Sequence, residues 1–133
     1  MTKRVLLVDD NPVVVKALHQ FFGHESDFEV CGEAENGRDA IEKAQELNPD
    51  LIVTDFSMPI MNGLEETRLL KQLMPDLPVI VYTAFSDPFM EKELRAAGAS
   101  AVVSKSAGIT TLMRKARCLS DFSDQMAVSK THP

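Results

Sequence analysis

Residues 5–10 have the sequence VLLVDD, and LIVTD at residues 51–55 repeats its pattern of an apolar run that ends at an aspartate. Short apolar runs bounded by polar residues are typical of strands buried on both faces of a parallel sheet. If the two strands are neighbours, their carboxyl ends meet at one edge of the sheet. The pattern therefore predicts that Asp9, Asp10 and Asp55 lie close together at that edge.

A cluster of three carboxylates is unfavourable unless its charge is offset. Two unit charges about 4 Å apart repel by roughly 4 kcal/mol at an effective dielectric constant of about 20. Oxygen ligands select hard cations, and Mg²⁺ is the usual partner where carboxylates meet phosphate, with Mn²⁺ as a related choice. The sequence therefore suggests a phosphoryl site that depends on Mg²⁺ or Mn²⁺.

The rest of the sequence predicts strands and helices that alternate along the chain. Several predicted helix starts and ends carry proline, glycine, asparagine or aspartate signals. On the first helix, Val14, Leu18 and Phe21 recur at i, i+4 and i+7 and predict its buried face. The predicted strands are 5–8, 28–31, 51–54, 79–83 and 101–103, and a helix follows each of them, the last from about 109 to 117.

This alternation predicts an α/β fold with a parallel sheet covered on both faces by helices. Ligands of such sheets bind at the carboxyl ends of the strands. Thr83 and Lys105 follow the fourth and fifth predicted strands. One architecture would therefore place both side chains on the edge that carries the three aspartates.

Composition restricts the classes of function. A chain of 133 residues suits one domain, and its net charge of −6 argues against general nucleic-acid binding. The sequence has no apolar run of the roughly 20 residues that a membrane span requires. Cys31 and Cys118 lack metal-ligand spacing and indicate reduced thiols in a cytoplasmic protein.

Five separated motifs resemble the receiver domain of bacterial two-component response regulators. They are VLLVDD (5–10), PDLIVTD (49–55), MP with NG (58–59, 62–63), VIVYTA (79–84) and GASAVVSK (98–105). The likeness covers roughly residues 3–118, and FEVCGEAENG (28–37) resembles receivers with a helix-turn-helix DNA-binding output. It implies a flavodoxin-like (βα)5 fold with strand order 2-1-3-4-5. The domain is expected to span 1–118, with a flexible tail at 119–133.

The resemblance also implies roles for individual residues. Asp55 is the expected phosphoryl acceptor, served by a sensor histidine kinase or a histidine phosphotransfer protein. Lys105 is expected to contact the phosphoryl group, and Thr83 to be the hydroxyl that moves towards it.

The same resemblance implies a set of metal ligands. Asp10 and Asp55 are expected to bind Mg²⁺ directly, together with the backbone carbonyl of Ser57. Asp9 is expected to act through a metal-bound water.

One position departs from the usual receiver pattern, and another occupies a variable position beside the phosphate. Receivers usually carry tyrosine or phenylalanine three residues before the lysine, as a rotameric switch, and this chain has Val102 there. Phe85 lies where the family tunes the lifetime of the phosphoryl group. Its bulk could hinder the attacking water, so we expect slow self-hydrolysis.

The leading hypothesis is a signalling module, not a turnover enzyme, that changes its binding to a downstream protein when phosphorylated. Residues 119–133 are too few for an effector domain, so a stand-alone receiver is expected, or else the input half of a DNA-binding regulator. Direct contact with nucleic acid or a membrane is not expected, and phosphate-driven dimerisation, common in the family, stays open.

Three other classes also stay open. A phosphatase acting through an aspartyl phosphate would favour the spacing Asp-x-Asp, which Asp9-Asp10-Asn11 breaks. A flavin or nucleotide carrier would need a glycine- or hydroxyl-rich phosphate loop where this acidic segment stands. A receiver that signals through protein contact alone is the third alternative.

Overall fold

A computed structural model describes residues 2–58, 60–84 and 87–131, with side chains as far as Ser120. Strands and helices alternate throughout, and a short 3₁₀ turn, Lys105–Ala107, precedes the last helix. The elements are β1 Lys3–Val8, α1 Pro12–Gly23, β2 Phe28–Ala34, α2 Gly37–Leu47, β3 Leu51–Thr54, α3 Gly63–Leu73, β4 Val79–Thr83, α4 Pro88–Ala97, β5 Ala101–Ser104 and α5 Ile109–Thr131.

The five strands form one parallel sheet in the order β2-β1-β3-β4-β5. The predicted α/β fold and strand order are therefore confirmed. Successive side chains of a strand point to opposite faces, so the buried strands feed two apolar layers. One layer packs against α1 and α5 through Leu18, Phe22 and Leu112. The other packs against α2, α3 and α4 through Ala44, Leu70 and Leu94.

Side-chain caps begin four of the helices, as the sequence signals suggested. Asn11, Asn36, Asn62 and Asp87 each accept a hydrogen bond from a backbone amide of the first helical turn. These amides have no partner within the helix, so each cap stabilises its helix by roughly 1 kcal/mol. All four caps lie in loops that follow the carboxyl ends of strands, and they fix the helix starts around that edge.

The buried face of α1 differs from the prediction. Val15, Leu18 and Phe22 are buried, whereas Val14 is half-buried and Phe21 is 46% exposed. Val15, Leu18 and Phe22 are spaced i, i+3 and i+7, and this spacing marks one face of a helix as well as i, i+4 and i+7 does. Only the sheet beneath α1 decides between these two faces.

Strand β2 and helix α5 both run further than the sequence suggested. β2 continues past Cys31 to Ala34, because a bulge at Cys31 restores pairing between Leu6 and Gly32. α5 continues past Arg117 to Thr131, so the prediction that helix ends near residue 117 is wrong.

No glycine or proline separates Ile109 from Thr131, and the serines and aspartates there each weaken a helix only slightly. Mobility of the tail 119–133 stays a prediction. Within the described part of the chain, no helix is both long enough and apolar enough to cross a membrane.

Helix α3 begins directly against the end of β3. The Gly63 amide donates a hydrogen bond of 2.9 Å to the Phe56 carbonyl. A methyl group at Gly63 would lie 2.7 Å from the Asp55 carbonyl oxygen, which is closer than such atoms approach in proteins. The close contact therefore requires glycine.

Replacing Gly63 with alanine should destabilise the protein by about 1–3 kcal/mol, because the backbone of Asp55 and Phe56 must move to admit the methyl group. Gly23→Ala is the matched control, since a methyl group there would meet no atom within 4 Å. Urea unfolding of both variants measures the difference. Equal stability of the two variants would show that the α3 start is not tightly packed.

Candidate acidic site at the carboxyl edge of the sheet

Three carboxylates converge where β1 and β3 end. Asp9, Asp10 and Asp55 each place an oxygen within 4.8 Å of the other two. The register between the strands causes this meeting: Val8 pairs with Thr54, and the Asp55 amide donates to the Val8 carbonyl at 3.0 Å. Asp9 and Asp55 are buried, whereas Asp10 is exposed.

Lys105 supplies positive charge to this cluster from the end of β5. Its Nζ atom lies 3.0 Å from Asp9 Oδ2 and 3.7 Å from Asp55 Oδ2, and the side chain is 23% exposed. The ammonium group also lies 6.0 Å from the centre of the Tyr82 ring. Partial burial strengthens these ion pairs compared with pairs on the surface.

The Asp55 carboxyl group has an altered proton affinity. Burial raises the pKa of Asp55 above its ordinary value, and the nearby Asp9 charge raises it further. Lys105, the Phe56 amide and the Thr83 hydroxyl each favour the charged form and oppose that rise. The Phe56 amide donates to Asp55 Oδ1 at 2.8 Å, and Thr83 is almost fully buried beside the group.

The donor set suits a small hard cation. All three side chains offer carboxylate oxygens, and Mg²⁺ holds its oxygen ligands at about 2.1 Å, so two ligands lie at most about 4.2 Å apart. The three carboxylates meet within 4.8 Å of one another, so small rotations of their side chains would bring their oxygens to such distances. In the type and placement of its ligands the site therefore fits Mg²⁺.

Three other residues were singled out from the sequence, namely Ser57, Val102 and Phe85. Ser57 lies exposed in the loop after β3, and its carbonyl as a metal ligand stays a prediction. Val102 is half-buried in the layer that faces α3 and α4. Phe85 lies outside the described residues.

Sequence reasoning missed Glu66, a fully buried acid on α3. The Thr54 hydroxyl lies 2.9 Å from Glu66 Oε1. Of the buried side-chain oxygens and nitrogens in the described residues, only Glu66 Oε2 lacks a hydrogen-bond partner. The spacing of Gly63, Glu66 and Leu70 at i, i+3 and i+7 was a signal that could have placed Glu66 on the buried face.

Burial makes Glu66 a neutral group. Desolvation raises the pKa of Glu66 to about 8, and the nearby Asp55 charge acts in the same direction, while the hydrogen bond with Thr54 opposes both. At neutral pH the side chain is therefore mostly protonated. The acidic site thus has a fourth carboxyl group behind it that does not add to its negative charge.

Comparison with known proteins identifies what this arrangement resembles. A family model described as the response regulator receiver domain matches residues 5–117. The response regulator protein VraR of Staphylococcus aureus is 37% identical over 131 residues, which cover 98% of this chain and 57% of VraR. This chain spans 50% to 58% of the length of the first curated relatives that it matches.

Two solved structures share the fold at 25% sequence identity. A DNA-binding response regulator of the LuxR family from Staphylococcus aureus superposes with a TM-score of 0.83 at 25% identity, covering 89% of this chain and 98% of that one. The CheX–CheY–BeF3–Mg²⁺ complex from Borrelia burgdorferi contains a chain that superposes with a TM-score of 0.83 at 25% identity, covering 88% of each.

The neutral state of Glu66 makes the free energy of unfolding depend on pH. Because the folded pKa of about 8 lies above the usual 4.5, the folded protein binds more protons than the unfolded chain between these values. The stabilisation is fully present below pH 4.5 and is lost as pH rises towards 8, by about 1.4 kcal/mol per pH unit at most.

Glutamine does not titrate, so Glu66→Gln should lack this pH-dependent contribution to stability. The difference in free energy of unfolding between Glu66→Gln and the unmodified protein should therefore change with pH between 5 and 8. Denaturant unfolding at several pH values measures this change. The exposed neighbour Glu65 provides the control, since Glu65→Gln should follow the unmodified protein. Parallel curves for Glu66→Gln and the unmodified protein would contradict the assignment.

Proposed function

This chain belongs to the response-regulator receiver domain family, and from that premise we propose that Asp55 accepts a phosphoryl group in a Mg²⁺-dependent reaction. The donor would be a sensor histidine kinase or a histidine phosphotransfer protein. One observation carries the proposal: Asp9, Asp10 and Asp55 converge at the edge where Lys105 contributes a cation. Receiver domains are signalling modules, so we infer a switch of partner binding without repeated turnover.

The residues divide the chemistry of transfer among them. An Asp55 oxygen forms a bond to phosphorus while the bond between phosphorus and the donor's histidine nitrogen breaks. Phosphoryl transfer passes through a loose transition state, so the protein mainly positions groups and offsets charge. Asp10 and Asp55, with the Ser57 carbonyl, would hold Mg²⁺, and Asp9 would hold a water on it. The metal ion, when bound, supplies positive charge to the oxygens of the phosphoryl group.

Lys105 has two roles in this scheme. Without a phosphoryl group its ammonium offsets the charges of Asp9 and Asp55, which it contacts at 3.0 and 3.7 Å. A phosphoryl group on Asp55 would carry about −1.5 to −2 charges and attract the same ammonium. A shift of Lys105 from Asp9 towards that group is the expected local response.

Thr83 is the proposed switch hydroxyl. Its hydroxyl already hydrogen-bonds the Asp55 carboxylate in the unphosphorylated chain. Phosphoryl oxygens are stronger acceptors that lie further from the Asp55 backbone, so the hydroxyl would gain by moving towards them. Such a differential contact between two states is what a switch requires. With Val102 at the usual aromatic position, the signal would leave through β4 and α4 without a ring flip.

The wider setting of this module is also a proposal. The relatives it matches are longer, and one similar structure is a DNA-binding response regulator. As a second candidate, the same switch would therefore serve as the input half of a DNA-binding regulator. A downstream protein partner, phosphate-linked dimerisation and a cytoplasmic location stay predictions. Slow loss of the phosphoryl group stays a prediction too.

Incubation with a small acyl phosphate and Mg²⁺ should add one phosphate to the chain, measured by intact mass. Asp55→Asn should abolish the gain, because the amide is not a competent nucleophile. Glu46→Gln, a change of the same kind on the exposed side of α2, should leave it intact. An equal gain in Asp55→Asn would place the acceptor elsewhere.

Replacing Lys105 with methionine should affect metal binding and phosphorylation in opposite directions. Loss of a competing cation leaves Asp9 and Asp55 more negative, so Mg²⁺ should bind up to about tenfold more tightly, a change of 1.4 kcal/mol. Phosphorylation should nevertheless become slower, because a charge that stabilises transfer is gone. Calorimetric Mg²⁺ titration and the mass assay measure the two effects. Lys92→Met, on the exposed side of α4, serves as the control. Weaker Mg²⁺ binding by Lys105→Met would contradict the idea that the Lys105 ammonium competes with the metal ion.

A further inference from the structure

Glu66 is connected to the phosphoacceptor through a single hydroxyl group. The Thr54 hydroxyl oxygen lies 2.9 Å from Glu66 Oε1 and 3.2 Å from the main-chain carbonyl oxygen of Asp55. Its single proton can serve only one of these acceptors, but a protonated Glu66 can donate to Thr54 and leave the Thr54 proton for the Asp55 carbonyl. Thr54 and Glu66 are both fully buried. Through Thr54, the buried acid is therefore linked to the peptide group of the residue that would accept phosphate.

The same peptide group also packs against the start of α3. Gly63 packs so closely that an added methyl group would lie 2.7 Å from the Asp55 carbonyl oxygen. The Thr67 hydroxyl in turn donates to the Gly63 carbonyl at 2.6 Å. Gly63, Glu66 and Thr67 lie on one face of α3, so this face fixes the backbone of Asp55 at two points.

The surroundings of Glu66 require it to be uncharged while it does this. Its Oε2 atom has no partner and its side chain is removed from water, so an ionised carboxylate would be a buried charge with only one hydrogen bond. Asp55 is the charged group that acts on Glu66, and Asp9 and Lys105 act in turn on Asp55. An ionised Glu66 would also add negative charge behind a site that must approach an anionic donor.

We propose that Glu66, as a neutral acid, is a positioning residue for the phosphoacceptor, acting through the Thr54 hydroxyl on the backbone of Asp55. This inference rests on the proposed function of Asp55. Transfer to a carboxylate needs the attacking oxygen aligned with phosphorus, and a displacement of about 1 Å can cost up to a hundredfold in rate. The Thr54–Glu66 bond limits such displacement at the end of β3.

The first test is a double-mutant cycle on the initial rate of phosphorylation by a small acyl phosphate at saturating Mg²⁺. Thr54→Val and Glu66→Leu should each slow the reaction about tenfold, and the double variant should be no slower than the slower single variant. Glu66→Gln keeps a neutral polar group that can donate to Thr54 or accept from it, and should stay within about twofold of the unmodified chain. Glu65→Gln, exposed on the adjacent position, is the matched control.

Stability measurements separate positioning from a general loss of structure. Leucine at position 66 faces Leu70 and other apolar neighbours of its layer, so Glu66→Leu should be at least as stable as the unmodified chain near neutral pH. A slower reaction in a protein of equal or greater stability identifies a positioning effect. Thermal unfolding of each variant, followed by circular dichroism, supplies this comparison.

The second test is the pH profile of the same rate, which a purely structural role would not change. The ratio of the Glu66→Gln rate to the unmodified rate should be constant below pH 7 and should rise several-fold between pH 7 and 9 as Glu66 ionises. Ionisation of the phosphate donor affects both proteins equally and cancels in the ratio.

The outcomes distinguish this inference from the proposed function. Phosphorylation of the unmodified chain at Asp55 with equal rates in Glu66→Leu and Thr54→Val, or a ratio that does not change with pH, would overturn the positioning role alone. If the unmodified chain gains no phosphate at Asp55, the proposed function and this inference both fail.

Discussion

Repulsion among buried carboxylates is the constraint on which the functional edge of this protein depends. Asp9 and Asp55 are buried, and the pKa of Asp55 is raised first by this burial and then by the neighbouring charge of Asp9. Lys105 offsets this repulsion through two ion pairs from a strand at the far side of the sheet. Such a site is suited to a bound cation, because positive charge relieves the repulsion among the three carboxylates.

The parallel sheet imposes that constraint on the chain. β1 and β3 are parallel neighbours, and Val8 pairs with Thr54 at their carboxyl ends, so the two strands end side by side. β4 and β5 extend the same edge with Thr83 and Lys105, residues far apart in sequence. The start of α3 packs against the same edge, where Gly63 lies against the Asp55 peptide group and donates to the Phe56 carbonyl.

The pleat of the sheet also limits how the switch can work. Tyr82 immediately precedes Thr83, and its ring packs in the layer towards α1 and α5. Val102 lies in the opposite layer, beside α3 and α4. The tyrosine therefore cannot replace the aromatic residue that receivers usually carry at position 102. A signal from Thr83 would have to pass through the aliphatic contacts of β4, β5 and α4 instead.

The sequence by itself determined the fold class and the edge at which Asp9, Asp10 and Asp55 meet. It also determined the strand order, through its resemblance to receiver domains. Those features follow from local patterns, namely apolar runs, caps such as Asn11 and Asp87, and polar residues at strand ends. Tertiary structure alone decided the buried face of α1, the bulge in β2 and the neutral state of Glu66. Each depends on which surface packs opposite a residue, and a helical spacing that fits two faces equally well cannot supply that information. Glu66 shows the reason most clearly, since its charge state follows from exclusion of water by residues distant in sequence.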